Sequence, residues 1–249
     1  MTNNVESVNN VESVNNVDWQ ETLFLQEEGV GLQAADRFDG PGDVCQNAGM
    51  EQNTKREAIL LAASEQFKQY GYRKTSMYDI AKRMGVSRAS LYSYFENKDD
   101  LFRSVSLAIH HRALSRAEYH LITDPAEVKN VPSFEVRIEN ALLARHGPFQ
   151  KAVTGSTHGD ELFDEYSRLC GDIVQESHAR FQALLANALN TASRAGDIDL
   201  KAAGVTGKGL AEVLNLGAAG LKHGAPDMVT FQRRLKTFVN LLISGLRSR

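Results

Sequence analysis

The chain has 249 residues, ordinary apolar and charged fractions of 42% and 24%, and a net charge of −3. No run of about 18 apolar residues could cross a bilayer, MTNNVESVNN lacks the basic and apolar regions of a secretory signal, and Cys45 and Cys170 are too few for a disulfide framework. These exclusions predict a cytoplasmic globular protein with no membrane partner, large enough for one sizeable or two modest domains.

The charge is unevenly placed. Residues 1–49 carry nine acids and one base, whereas residues 50–249 carry 27 bases and 22 acids. Residues 3–18 repeat the unit VESVNN, which has too few large apolar groups to offset the entropy of ordering, and the turn formers of DGPGD follow at Asp39 to Asp43. The expectation is an acidic, disordered leader over residues 1–53, dispensable for folding. From Thr54 the pattern becomes helical: Ile59, Ala63, Phe67 and Tyr70 share a face, and Gly71 stands where a C-terminal cap would. Ser76 and Asp79 form a capping pattern ahead of the stripe Met77, Ile80, Ala81 and Met84, which Gly85 ends. Val86 is expected in the inter-helix corner, Ser87 caps a third short helix, and Leu91 and Phe95 face inward. A helix that short must be held by packing on its predecessors.

Asn97 starts the next helix, with Asp99 and Asp100 in its first turn, and the helix runs to about Leu121. Asp124-Pro125-Ala126-Glu127 signals a further start cut short by Pro132. Ser133 opens a helix expected to stop at Gly147-Pro148. The pattern Leu162, Tyr166, Leu169, Ile173, Phe181, Leu184 and Ala188 keeps to one face up to Gly196, predicting a single helix roughly 50 Å long. Two more helices are expected over about Leu200 to His223 and Pro226 to Leu246. No segment alternates as a strand would, so the predicted class is all-α.

Thr75, Ile80-Ala81, Gly85-Val86-Ser87, Leu91-Tyr92, Tyr94-Phe95, Lys98 and Leu101 fall in the order and spacing of the DNA-binding signature of the TetR family of bacterial transcriptional regulators. Residues 54–101 resemble that domain closely; beyond them the resemblance is one of architecture. It departs at Ala89, where many members carry Gly, which alters the base-facing surface but not the helix. The resemblance implies a helix-turn-helix domain over 54–104 and a helical ligand-binding and dimerisation domain over 105–249. It also implies a homodimer on a pseudo-palindromic operator in double-stranded DNA, and repression relieved by a small-molecule effector.

The residue chemistry leads independently to the same use. Ser87-Arg88-Ala89-Ser90 can enter a major groove, where Arg88 is the first choice for a bidentate contact to guanine and Ser90 can address a base edge or phosphate. Tyr92, Tyr94 and Lys98 resemble the family's backbone-contacting positions, Thr75 belongs to its signature, and Ser76 opens a helix whose amides suit phosphate. Read as structure only, the two tyrosines are packing aromatics and Lys98 a solvated cation.

The last two helices carry the expected dimer interface, at Leu210, Leu214, Phe231, Leu235, Phe238 and Leu242, against the alternative that this stripe is intramolecular core. Phe134, Phe149, His158, Phe163, Tyr166 and His178 are the larger or titratable side chains where an effector pocket is expected. No cofactor or metal is indicated, because the histidines lack clustered ligand spacing. Thr157-His158-Gly159-Asp160 does not amount to a catalytic triad, and no nucleophile elbow is present, so an enzyme is not expected. A ligand-blind DNA-binding protein is the alternative.

Overall fold

The computed structural model describes residues 43–122, 132–154 and 156–247, of which 43–51 and 149–154 are described by backbone alone. The described residues form the helices α1 (Asp43–Tyr70), α2 (Met77–Met84), α3 (Arg88–Tyr92), α4 (Lys98–Ile122) and α5 (Phe134–Thr154). They continue with α6 (Gly159–Leu169), α7 (Gly171–Ala195), α8 (Gly207–Leu221) and α9 (Met228–Ser244), and contain no strand. The described residues from Asn53 onward pack as one compact unit. The repeat, most of the leader and Asp124 to Glu127 lie outside the described residues.

Two hydrophobic clusters organise that unit. The first joins Ile59, Ala63 and Phe67 of α1 to Ile80 and Ala81 of α2, Leu91 of α3, Phe95, and Leu101 and Val105 of α4. The second joins Leu114 and Leu121 of α4 to Ile138 and Leu142 of α5, Phe181 and Leu185 of α7, Leu214 of α8, and Phe231 and Leu235 of α9. Both include α4, which therefore links the N-terminal three-helix unit to the larger bundle. Cys170 and Ile173, at the meeting of α6 and α7, are buried in the first cluster.

Four differences from the sequence expectation have physical causes. α1 begins at Asp43 rather than Thr54. Lengthening a packed helix needs no new nucleus, and the poorest helix former in that stretch is Gly49, worth about 1 kcal/mol. α5 runs through Gly147-Pro148 to Thr154. Pro148 costs one backbone bond, but Ala141, Leu142, Arg145 and His146 hold the preceding turns in the interior. The predicted long helix is divided at Cys170, whose φ of −123° and ψ of 15° leave the helical region. There the Arg103 guanidinium donates to the Leu169 carbonyl and grips Asp172 at 2.8 Å and 2.6 Å, so the break leaves that carbonyl satisfied. Val86 is exposed rather than filling the corner.

Candidate nucleic-acid interface

The local chemistry that builds this end is a series of caps. Gly71 and Gly85 close α1 and α2 with φ of 82° and 67°, a region side chains rarely adopt. Ser76 caps α2 reciprocally: Asp79 N–H donates to its Oγ at 3.2 Å, and Ser76 N–H donates to the Asp79 carboxylate at 2.9 Å. That bonding to Ser76 holds the Asp79 carboxyl below its usual range. Ser87 Oγ accepts from Ser90 N–H at 3.1 Å and starts α3, and Asn97 Oδ1 accepts from Asp100 N–H at 2.9 Å and starts α4. Leu91 and Phe95, both buried, pin α3 against α1 and α2 from behind.

The outer face of α3 is thereby presented to solvent. Ser87, Arg88, Ala89, Ser90 and Tyr92 are all exposed, with Tyr92 at 44%. The Arg88 guanidinium lies 6.0 Å from the centre of the Tyr92 ring, so the aromatic face lines up the cation beside it. Tyr94 is half-buried and packs on the first cluster.

Three positions given to DNA in the sequence reading have other engagements. Thr75 is buried, and its hydroxyl donates to the Gly71 carbonyl at 2.7 Å, so it shapes the α1–α2 turn from within. The Ser76 N–H and hydroxyl are taken by Asp79, so a phosphate approaching there meets a carboxylate first. Lys98 Nζ donates to the Tyr72 carbonyl at 3.0 Å and stands 4.1 Å from the Tyr72 ring centre, which anchors it inside the domain. The sequence reading overlooked Tyr78 and Lys82 on α2, which are exposed together with Lys74. Their four-residue spacing puts Tyr78 and Lys82 on one helical face, a signal available from the start.

The other expected sites are distributed differently. Leu210, Leu214, Phe231 and Leu235 are buried inside the chain's own second cluster, with Phe238 and Leu242 packed against it. A near-heptad stripe looks the same whether its partner is the next helix or a second subunit, and here the first four residues are spent within the chain. The apolar side chains those helices leave exposed are Val213, Leu216, Val229 and Leu241, the last at 73%. Phe134 packs against the second cluster, Phe163 is exposed, and His158 sits at the start of α6, 3.8 Å from Glu161. Phe149 is among the residues described by backbone alone.

Tyr166 and His178 join buried polar groups inside the bundle. His110 Nδ1 is 2.9 Å from Ser177 Oγ, and its Nε2 meets the Tyr166 hydroxyl. His146 Nε2 is 2.9 Å from Asn215 Oδ1, while Asn215 Nδ2 lies 3.2 Å from His178. Burial, assisted by the Arg145 charge, pushes His110 down to about 4. Burial, then Lys222 and Arg145, pushes His146 down to about 3, so both imidazoles are neutral at pH 7. Burial raises Tyr166 to about 12.

A three-helix unit with a capped, outward-facing third helix on an all-helical chain defines a helix-turn-helix protein. Residues 59–105 match the sequence model described as bacterial regulatory proteins, tetR family. The transcriptional repressor BepR of Brucella suis is 44% identical over 50 residues, 20% of this chain and 24% of that relative. The chain thus spans about a quarter of the length of the relatives it matches in this way. The regulator TtgR of Pseudomonas putida is 28% identical over 165 residues, 63% of this chain and 79% of TtgR. A TetR-family regulator from Pectobacterium atrosepticum shares the fold, with a TM-score of 0.58 at 20% identity, over 80% of this chain and 97% of that one. The comparisons thus support a TetR-family regulator: residues 59–105 match that family's sequence model, and the described helices share the fold of one of its members.

Proposed function

We propose that this chain is a sequence-specific DNA-binding transcriptional regulator, acting as a homodimer on a pseudo-palindromic operator and released by a small-molecule effector. The observation that carries the reading is the exposed row Arg88, Ala89, Ser90 and Tyr92 on a helix pinned from behind by Leu91 and Phe95. Arg88 is the specifying residue; Tyr92, Tyr78, Lys74 and Lys82 address the backbone. Repression is the adopted sign of control, since the relative BepR is named a repressor.

One such unit reads a half-site, so two must stand about 34 Å apart or a multiple of it. The exposed faces of α8 and α9, with Val213, Leu216 and Leu241, supply the contact between subunits. The effector enters the polar interior around His110, His146, Tyr166 and His178. α6 couples that interior to DNA: Tyr166 faces inward, while the Glu161 carboxylate accepts from Arg73 N–H at 2.6 Å and Glu165 lies 3.5 Å from Arg73, in the turn between α1 and α2. An effector preferring a tilted α6 shifts the spacing of the half-sites and lowers operator affinity by its own differential affinity for the two states.

The test is selection of bound duplexes from a random pool, followed by anisotropy titrations of wild type and Arg88→Ala on single-base variants of the selected site. A loss of discrimination at one base position per half-site is expected, worth about 1–3 kcal/mol. Equal weakening on every sequence would remove Arg88 from direct readout, and recovery of no palindrome would favour a ligand-blind DNA-binding protein.

A further inference from the structure

The bundle interior holds a positive charge that nothing described there balances. Arg145 of α5 is 9% exposed, its Nε is shielded from solvent with no hydrogen-bond partner, and it forms no ion pair among the described residues. A guanidinium stays protonated at any physiological pH, so the charge cannot be shed as a buried histidine sheds its own. Charges in protein interiors are ordinarily paired, and a lone one opposes folding.

The groups that share its surroundings offer no counter-charge. They are His110 of α4, His146 of α5, Tyr166 of α6, His178 of α7 and Lys222 after α8, each of which interacts electrostatically with Arg145. Burial first, and then Arg145, pushes Lys222 down to about 8, and the same influences keep the imidazoles neutral. The two buried acids are occupied elsewhere: Glu135 accepts from Arg247, and Glu165 accepts from Arg168 at 2.7 Å. Apolar surface adjoins the site, since the Phe181 ring stands edge-on to His146 at 6.2 Å.

We infer that the effector is a small organic carboxylate whose charge Arg145 neutralises inside the bundle, with its apolar body against Phe181. The inference rests on the effector reading above. Tyr166, which interacts electrostatically with Arg145, brings α6 to the same site and ties the bound anion to that helix. The Phe181 ring beside the charged groups offers apolar surface that an organic carboxylate can use and inorganic phosphate cannot, which favours the carboxylate.

The test uses the full chain, Arg145→Met, which keeps the length of the side chain without the charge, and Arg145→Lys, which keeps the charge. Ligand-free, Arg145→Met should have a urea midpoint no lower than wild type; a clear drop would mean that Arg145 is already paired and would overturn the inference. Thermal-shift and calorimetric titrations then compare octanoate and benzoate with octanamide, benzamide and inorganic phosphate. Expected are binding of at least one acid and of neither amide, a loss of about thirty-fold or more in acid affinity for Arg145→Met, and substantial retention for Arg145→Lys. Amides binding as well as acids, phosphate outcompeting both acids, an unaffected Arg145→Met, or no response to either acid would each overturn it. Operator release by an amide alone would leave the effector reading standing while this inference fails. Acid binding that leaves operator affinity unchanged would support the site and overturn its role in release.

Discussion

Mild acid should unfold this protein, and the window is set by two histidines. His110 and His146 are buried with their ring nitrogens engaged by Ser177, Tyr166 and Asn215, and their folded values lie near 4 and 3 against 6.5 for the free side chain. Both values are depressed, so the folded state stays neutral while the unfolded chain takes up two protons as pH falls through 6.5. Stability is therefore complete above about 6.5 and drains away between there and about 4. Each group contributes about 1 kcal/mol per pH unit within that interval, so the pair removes roughly 2 to 3 kcal/mol for each unit below 6. Against a total of about 5–15 kcal/mol, one or two units are enough to bring the midpoint close to zero denaturant. The assay is urea unfolding followed by helical circular dichroism at pH 7, 6, 5 and 4.5 and constant ionic strength. His146→Asn should flatten the slope by one histidine's share. A midpoint level down to pH 5, with loss only where carboxylates such as Asp172 (held near 2, chiefly by Arg103) are protonated, would refute the assignment of neutral buried imidazoles.

Further tests separate the dimer surface from the core. Val213→Glu with Leu241→Glu should give folded monomers by sedimentation, whereas Leu235→Glu should lower the unfolding free energy by about 3 kcal/mol or more, as a charge in a sealed interior does. Gly217 packs against the Phe238 ring so closely that Gly217→Ala must displace the ring, at a cost of about 1–3 kcal/mol in a urea titration. Ser76→Ala removes the reciprocal cap of α2 and should cost about 1 kcal/mol by the same assay, with a larger proportional loss in operator binding if α2 frays.

The helix-turn-helix was legible because its determinants are local. Ser76 with Asp79, Ser87, Asn97, Gly71 and Gly85 act within four residues of themselves, and the inward spacing of Leu91 and Phe95 follows from one helical turn. The sites farther along were less legible because their causes lie far away in sequence. The division at Cys170 depends on Arg103, and the passage of α5 through Pro148 depends on the packing of its neighbours. The stripe from Leu210 to Leu242 has the right spacing for a subunit contact, yet only tertiary arrangement shows that its innermost members face α5 and α7 of the same chain. Arg145 gave no signal at all in sequence, since an arginine on a helix is ordinarily solvated; what singles it out is the missing partner.

The Arg103 contacts also limit how such a protein can be recombined. A graft made at residue 104, the boundary expected from the sequence, would bring in whatever the donor carries at position 103. An apolar side chain there would remove the donor to the Leu169 carbonyl at the end of α6 and the ion pair with Asp172 at the start of α7. Interchange of reading heads between relatives thus has to respect that one position, and a chimera that puts an apolar side chain there should fold less stably at the joint even when both of its halves are sound.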